Sequence, residues 1–278
     1  KSRDLLGVRY VTEGPNQYWF DPALVGLQRT IDGLHPDLTN LIVSMDRSEQ
    51  RMLVLSYSDR EPGFYSLVDL ASKKVSPLGQ RMPWIKPEQL APMFPIKCQA
   101  RDGLPLHGYL TLPPGAGQKN LPLVMLVHGG PWVRDVWGFD PIVQFLANRG
   151  YAVLQINYRG SIGYGVDFAA QGKGQVGGAI QDDITDAVRW AIGAGFADPK
   201  RIAIMGASYG GYSTLFALAK TPELYRCGID IAGVTDWPDL LEEHNKDGEY
   251  KIAYAYWEKR MGSLENPAVR QRLADVSP

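Results

Sequence analysis

The run Arg201-Ile-Ala-Ile-Met-Gly-Ala-Ser208-Tyr-Gly-Gly-Tyr212 joins an apolar, strand-like stretch to Gly-x-Ser-x-Gly and then to a helical pattern. That order is a nucleophile elbow, in which a serine on a sharp strand-to-helix turn has its hydroxyl pushed clear of the backbone. Ser208 is the nucleophile it predicts, for attack on an acyl carbon. Gly206 and Gly210 leave room where a Cβ would collide with the neighbouring strand or helix. The same turn sets the amide of Tyr209 at a helix N-terminus, where unpaired N–H groups and the helix dipole favour an oxyanion. A bare Gly-x-Ser-x-Gly is equally a glycine-rich turn with a solvent-facing serine. Here the flanking Ile202 and Ile204 and the helical pattern over 214–220 favour the elbow.

A second group of residues lies upstream. Leu121-Pro-Leu-Val-Met-Leu-Val127 reads as a fully buried strand ending in His128-Gly129-Gly130-Pro131, where an α/β-hydrolase places its other oxyanion donor. Glycines let a backbone N–H approach the developing charge, so Gly130, or in second place Gly129, is expected to pair with Tyr209 across the substrate carbonyl. A histidine at the tip of this strand invites assignment as general base. The reading preferred here is that His128 organises the glycine loop.

Together these motifs make the chain resemble the catalytic region of the prolyl oligopeptidase family of serine peptidases, especially its acylaminoacyl-peptidase and dipeptidyl-aminopeptidase branch. Four blocks carry the resemblance: His128–Pro131, Asn157-Tyr-Arg-Gly-Ser-Ile-Gly-Tyr-Gly165, Gly177-Gly-Ala-Ile-Gln-Asp-Asp183 with its helix, and Gly206–Tyr212. Their order and spacing are more specific than any one block, and the similarity covers roughly residues 95–278. The resemblance implies an α/β-hydrolase in which Ser208 is acylated and Tyr209 and Gly130 hold the oxyanion. It also implies an N-terminal β-propeller capping the hydrolase.

The hydrolase chain order is Ser, then Asp or Glu, then His, the last two on loops after later strands. After Ser208 only Arg226-Cys-Gly-Ile-Asp-Ile-Ala232 reads as a strand, followed by helical and loop patterns to Pro278. His244 is the one histidine after the nucleophile. It lies in the charged run 241–248 with no strand before it, so solvated surface is its expected place. The triad Asp and His are therefore expected beyond residue 278, the segment is read as part of a longer protein, and by itself it is expected to be inactive. Lys1 is not a natural initiator and no targeting pattern follows it. The compartment, cytoplasmic or periplasmic/secreted, is left open.

The elements that must position these residues follow from periodicity. Buried runs at Leu121–Val127, Ala152–Ile156, Arg201–Met205 and Cys227–Ala232 alternate with helical patterns at Ile142–Asn148, Ala179–Ile192 and Tyr212–Ala219. In the second helix Ile180, Ile184, Ala187, Val188 and Ala191 form one apolar stripe. This alternation predicts a parallel sheet covered by helices. Ile96–Arg101 and Leu106–Leu112 flank Asp102-Gly103 as a hairpin. Over residues 1–80 the pattern is short and β-like, at Gly7–Thr12, Asn40–Met45, Met52–Tyr57 and Phe64–Leu70. It is long enough for at most about two propeller blades, and a small antiparallel sheet is equally allowed. Residues 81–95 hold four prolines, Pro83, Pro87, Pro92 and Pro95, which disfavour helix and interior strand. The expected organisation is thus a β region over 1–80, a linker over 81–95 and an incomplete α/β-hydrolase domain over 96–278.

With 278 residues, 45% hydrophobic content and a formal net charge of −1, the chain can bury a large core and has no basic excess for nucleic acid. No apolar run reaches membrane-spanning length. Cys98 and Cys227 sit in strand-like apolar contexts and are expected as reduced core thiols. His35, His107, His128 and His244 lack metal-ligand spacing, so no metal is expected, and the chemistry requires no cofactor. Asp182 and Asp183 are assigned to the polar side of an amphipathic helix, with surface or salt-bridge roles, and Arg159 to a structural ion pair. The function expected is a serine peptidase that cleaves short peptides through an acyl-enzyme on Ser208. A carboxylesterase uses the same constellation, and a non-catalytic binding scaffold is the reading from another class. Self-association is left open.

Overall fold

The computed structural model describes residues 5–115, 117–246, 248 and 250–278. Lys1, and Asp247 within the charged run at 241–248, lie outside the described residues. The chain divides into two compact units, Lys1–Met93 with Val136–Asn148, and Phe94–Asp135 with Arg149–Pro278.

In the first unit β1 (Gly7–Val11) and β2 (Pro15–Trp19) form an antiparallel pair. The helix α1 (Pro22–Leu34) follows, where the sequence reading of residues 1–80 has only β-like periodicity. Its cause is local. Asp21 caps the first turn by accepting from the Ala23 N–H at 2.8 Å, and Pro22 occupies the first helical position. Leu24 and Ile31, seven residues apart, then bury one face. Strands β3 (Thr39–Met45), β4 (Arg51–Tyr57), β5 (Phe64–Asp69) and β6 (Lys74–Gln80) form an antiparallel meander. Every second residue of β4, Met52, Val54 and Ser56, points inward. Ile42 and Val68 complete this small core with Leu24 and Ile31. These antiparallel strands are consistent with part of a β-propeller. Within the same unit, α2 (Pro141–Ala147) carries Gln144, whose amide accepts from the Ala91 N–H and donates to the carbonyls of Ala91 and Asp59. The proline-rich segment is thereby ordered.

The second unit contains a six-stranded sheet in the order β12-β11-β9-β10-β8-β7. Its strands are β7 (Met93–Gln99), β8 (Pro105–Thr111), β9 (Leu121–Val127), β10 (Ala152–Asn157), β11 (Ala197–Ala207) and β12 (Cys227–Ile231). β8 runs antiparallel to β10, whereas β10, β9, β11 and β12 are mutually parallel. This is the α/β-hydrolase arrangement. β7 begins at Met93, inside the stretch read as linker; it can include Pro95 because it is an edge strand, where one side of the ladder needs no N–H donor. The central strands are continuous apolar runs because helices cover them, α4 (Ala179–Gly193) on β10 and β11 and α5 (Tyr209–Lys220) on β9, β11 and β12; α3 (Val166–Ala170), α6 (Trp237–Lys246), α7 (Lys251–Met261) and α8 (Pro267–Asp275) complete the unit, with α6 packed on α7 and α8. The stripe of Ile180, Ile184, Ala187, Val188 and Ala191 is fully buried. The Ile and Val side chains of this stripe each contribute about 1.5–3 kcal/mol by leaving water.

The two cysteines differ. Cys98 is buried, and burial pushes its thiol up to about 12. Cys227 is exposed, contrary to the expectation of a core thiol, because it opens β12 at the end of the sheet order, where few residues cover the strand.

Candidate active site

The strand β11 ends at Ala207, and α5 starts at Tyr209, so the whole turn is made by one residue. Ser208 has φ 56° and ψ −119°, a conformation that costs a non-glycine residue on the order of 1–3 kcal/mol and persists only where its surroundings impose it. The surroundings here are backbone. A Cβ on Gly206 would stand 2.4 Å from the carbonyl of Gly210, and one on Gly210 would stand 2.1 Å from the carbonyl oxygen of Val127. The Ser208 N–H donates to the carbonyl of Ile231 at 2.9 Å, which ties the turn to β12. The serine itself is exposed.

Tyr209 is the first residue of α5, so its N–H belongs to the group at a helix start that has no intrahelical acceptor. Its side chain is buried among Tyr158, Tyr212 and Trp237, with ring centroids 5.3–6.1 Å away. Aromatic packing thus fixes the residue whose amide borders Ser208.

The glycine loop after β9 lies beside this turn. A Cβ on Gly129 would be 3.6 Å from the Cβ of Ser208 and 3.2 Å from the carbonyl oxygen of Ala207. Gly130 has φ 112°, and a Cβ there would stand 2.8 Å from the amide nitrogen of Trp132, so both its backbone and its surroundings select glycine. The orientation of the peptide between the two glycines is set by its carbonyl. The Gly129 oxygen accepts from His128 Nδ1 at 2.8 Å and from the Tyr158 hydroxyl at 3.4 Å. In a planar trans peptide the N–H opposes the C=O, so the Gly130 N–H points away from the His128 and Tyr158 rings.

His128 is therefore the organiser of the loop. A carbonyl can only accept, so Nδ1 carries the proton and Nε2 accepts from the Ser161 hydroxyl at 3.1 Å. Burial lowers the imidazole pKa to about 4, which keeps this tautomer neutral near pH 7. The Tyr158 ring stacks on His128 at 4.2 Å, and its hydroxyl also donates to the His128 carbonyl. Tyr158 and Ser161 were not singled out individually in the sequence; the signal was their place in the block Asn157–Gly165, which starts at the last residue of β10.

That block continues into a buried ion-pair network. Arg159 donates from its backbone N, Nε and Nη2 to Asp183 at 2.7–2.9 Å, and from Nη1 to Asp102 in the β7–β8 hairpin at 2.8 Å. The carboxylates hold Arg159 in its charged form, while Arg159 holds exposed Asp102 below the usual carboxylate range. Asp183 is fully buried, a correction to its assignment to a polar helix side, although the salt bridge was expected. Asp182 does face solvent in part and pairs with Lys220 and Arg101.

The other sequence candidates lie elsewhere. His244 is half-buried on α6, not fully solvated, and stacks on Tyr250 at 5.1 Å. His107 stacks on Tyr164 and His35 packs against Phe64.

A sequence model of the prolyl oligopeptidase family matches residues 137–278, just over half of the chain. The chain belongs to the prolyl oligopeptidase family. Among curated members it is similar to the dipeptidyl aminopeptidase BIII of Pseudoxanthomonas mexicana, 36% identical over 266 residues, covering 93% of this chain and 38% of that relative. Among solved structures it is similar in fold to a puromycin-hydrolyzing peptidase of Mycobacterium tuberculosis, with a TM-score of 0.75 and 23% identity over 96% of this chain and 41% of that one. The acylaminoacyl peptidase of Pyrococcus horikoshii gives a TM-score of 0.72 with 23% identity, over 98% and 41%. The chain thus spans well under half the length of the family members it matches.

Proposed function

We propose that this chain is the Ser208-bearing portion of a serine peptidase that hydrolyses short peptides through an acyl-enzyme. The observation that carries the reading is the exposed Ser208 held at φ 56° between Gly206 and Gly210, with the glycine loop packed against it. Ser208 Oγ attacks the scissile carbonyl. The N–H groups of Tyr209 and Gly130 donate to the oxygen as it becomes negative, where a preorganised donor contributes about 3–4 kcal/mol. Collapse of the tetrahedral intermediate expels the amine and leaves the acyl group on Ser208, and water then releases it by the same steps.

The general base and its orienting carboxylate are assigned to sequence beyond residue 278. His128 is a neutral loop brace with both ring nitrogens engaged, and His35, His107 and His244 pack on other rings. On this reading the 278 residues alone are inactive, because loss of the relay from a comparable serine protease costs about six orders of magnitude in kcat. Residues 1–80 are assigned to a remnant of a β-propeller, 81–95 to a linker and 96–278 to the hydrolase domain. The name of the aminopeptidase relative supports a peptide substrate.

The test is covalent. A fluorophosphonate applied to the full-length protein is expected to modify Ser208, with the adduct mapped by mass spectrometry and lost in Ser208→Ala. Labelling that survives the substitution refutes the nucleophile. Efficient hydrolysis of a simple ester, with negligible cleavage of every short aminoacyl amide, would instead assign a carboxylesterase.

A further inference from the structure

Arg260, on the last turn of α7, is a cation with aromatic partners and, among the described residues, no acidic one. Its guanidinium carbon lies 3.6 Å from the ring centroid of Tyr256 and 5.0 Å from that of Trp132. Among the described residues its one side-chain hydrogen bond runs from Nη1 to the Tyr256 carbonyl, at 3.2 Å, and no carboxylate lies within ion-pair distance. The ring faces and Nη1 contact orient the guanidinium, which leaves the Nε and Nη2 edge unused. That edge is the fork that takes a carboxylate in bidentate fashion.

The backbone beneath Arg260 is also fixed. Its carbonyl accepts from the Gly174 N–H at 2.8 Å, and Arg272 donates to the carbonyls of Gly174 and Met261. The group is half-buried, and Tyr256 beside it is exposed, so a ligand can reach the fork from solvent.

The location ties this cation to the nucleophile. Trp132 follows Gly130-Pro131 directly, and the three residues from Gly129 to Trp132 span at most about 11 Å. Gly129 is the residue packed against Ser208. Trp132 also meets Trp257 at 5.2 Å, Trp257 meets Trp237 at 5.3 Å, and Trp237 meets Tyr209 at 6.1 Å. These ring contacts, with Tyr209, Trp237 and Trp132 themselves buried, connect the residue after Ser208 to the platform under Arg260 through the core, and the short chain from Gly129 to Trp132 keeps that platform within the reach of a short extended peptide, at about 3.4 Å per residue.

We propose that Arg260 binds a carboxylate of the peptide substrate and selects for peptides that carry one at a fixed distance from the scissile bond. This rests on the peptidase reading above for the identity of the substrate. The carboxylate comes from the peptide C-terminus or from an acidic side chain, two sources with the same chemistry.

The experiment uses the full-length protein, its Arg260→Gln and Arg260→Lys variants, and short peptides matched in pairs. One pair differs only in a free C-terminal carboxylate against a carboxamide, the other in Glu against Gln within the peptide. For the pair that supplies the ligand, kcat/KM is expected to favour the carboxylate about tenfold or more, a range suited to a bidentate charge-assisted contact. R260Q is expected to abolish that preference and leave the carboxamide or Gln peptide within about twofold of wild type, and R260K to retain only part of it because ammonium has no fork. Preference unchanged in R260Q overturns the proposal, as does an equal loss on both members of each pair.

Binding of the same peptides to a Ser208→Ala background, followed by calorimetry, separates this proposal from the peptidase reading. Discrimination that depends on Arg260 without turnover of any peptide by wild type would refute the peptidase and keep the carboxylate site. Cleavage of peptides with no Arg260-dependent discrimination in either pair would do the reverse. Should R260Q fail to fold, loss of discrimination in R260K decides the matter in the same way.

Discussion

Replacing His128 with phenylalanine keeps a planar ring against Tyr158 but removes the polar contacts of both ring nitrogens, Nδ1 with the Gly129 carbonyl and the Tyr158 hydroxyl and Nε2 with the Ser161 hydroxyl. The Gly129 carbonyl is left with the Tyr158 hydroxyl alone at 3.4 Å, and the Ser161 hydroxyl loses its acceptor. Leaving the buried Ser161 hydroxyl without its acceptor costs about 1–3 kcal/mol of stability. The Gly130 N–H is no longer aimed by its own peptide, so part of one oxyanion donor, about 10²–10³-fold in kcat when wholly removed, is expected to go. A fall of about ten- to a hundredfold in kcat, alike for amides and esters and with little change in KM, is the expected outcome in the full-length protein. The same substitution removes a titration. The folded pKa of about 4 lies below the ordinary 6.5, so between those values the unfolded chain binds the extra proton. The neutral imidazole's contribution is present above about pH 6.5 and is lost as pH falls towards 4. At about pH 5 wild type should have given up roughly 2 kcal/mol relative to its value at neutral pH, and H128F should lack that component. Denaturation midpoints of both proteins at the two pH values measure it. Parallel pH profiles, together with unchanged kcat, would refute the assignment of His128 as a neutral brace.

Gly130→Val should lower kcat by about a hundredfold or more, since the positive φ and the 2.8 Å approach to the Trp132 amide force the loop to move; turnover within a few-fold of wild type argues against a donor there. Arg159→Met leaves the fully buried Asp183 without its guanidinium partner and is expected to cost about 3–5 kcal/mol in denaturant unfolding with KM unaltered. A raised KM at full stability would make Arg159 a substrate contact. If the N-terminal β region acts as the cap that the family resemblance implies, deleting it should change the ratio of kcat/KM between short and long peptides while leaving Ser208 labelling by fluorophosphonate in place; an unchanged ratio would refute that expectation.

The elbow was legible because its requirements are contained in five consecutive residues: glycines where backbone meets backbone, and a strand and helix on either side. The glycine loop was legible for the same reason. The brace behind it was not, because His128 meets Tyr158 and Ser161 across 30 and 33 residues and no local rule pairs them. Asp183 was placed on a polar face by periodicity, which assumes that charge means solvent; its partner, Arg159, comes from a loop 24 residues earlier. Cys227 was misjudged because an apolar strand at the end of a sheet reads like one at the centre. The helix α1 had left its mark in Asp21-Pro22 and the spacing of Leu24, Leu27 and Ile31, which short β-like runs on either side outweighed.

Around Ser208 the packing is main chain on main chain. Gly206 rests on Gly210 and Gly210 on Val127, while Gly211 rests against Asp230 and Gly233 and lacks room for even a methyl group. Contacts of this kind leave no voids, and hydrostatic pressure unfolds proteins by eliminating voids. The turn itself therefore offers compression nothing to collapse. Under rising pressure the reactivity of Ser208 towards a fluorophosphonate should persist until β9, β11 and β12 separate, so that loss of that reactivity and loss of the central sheet occur as one event.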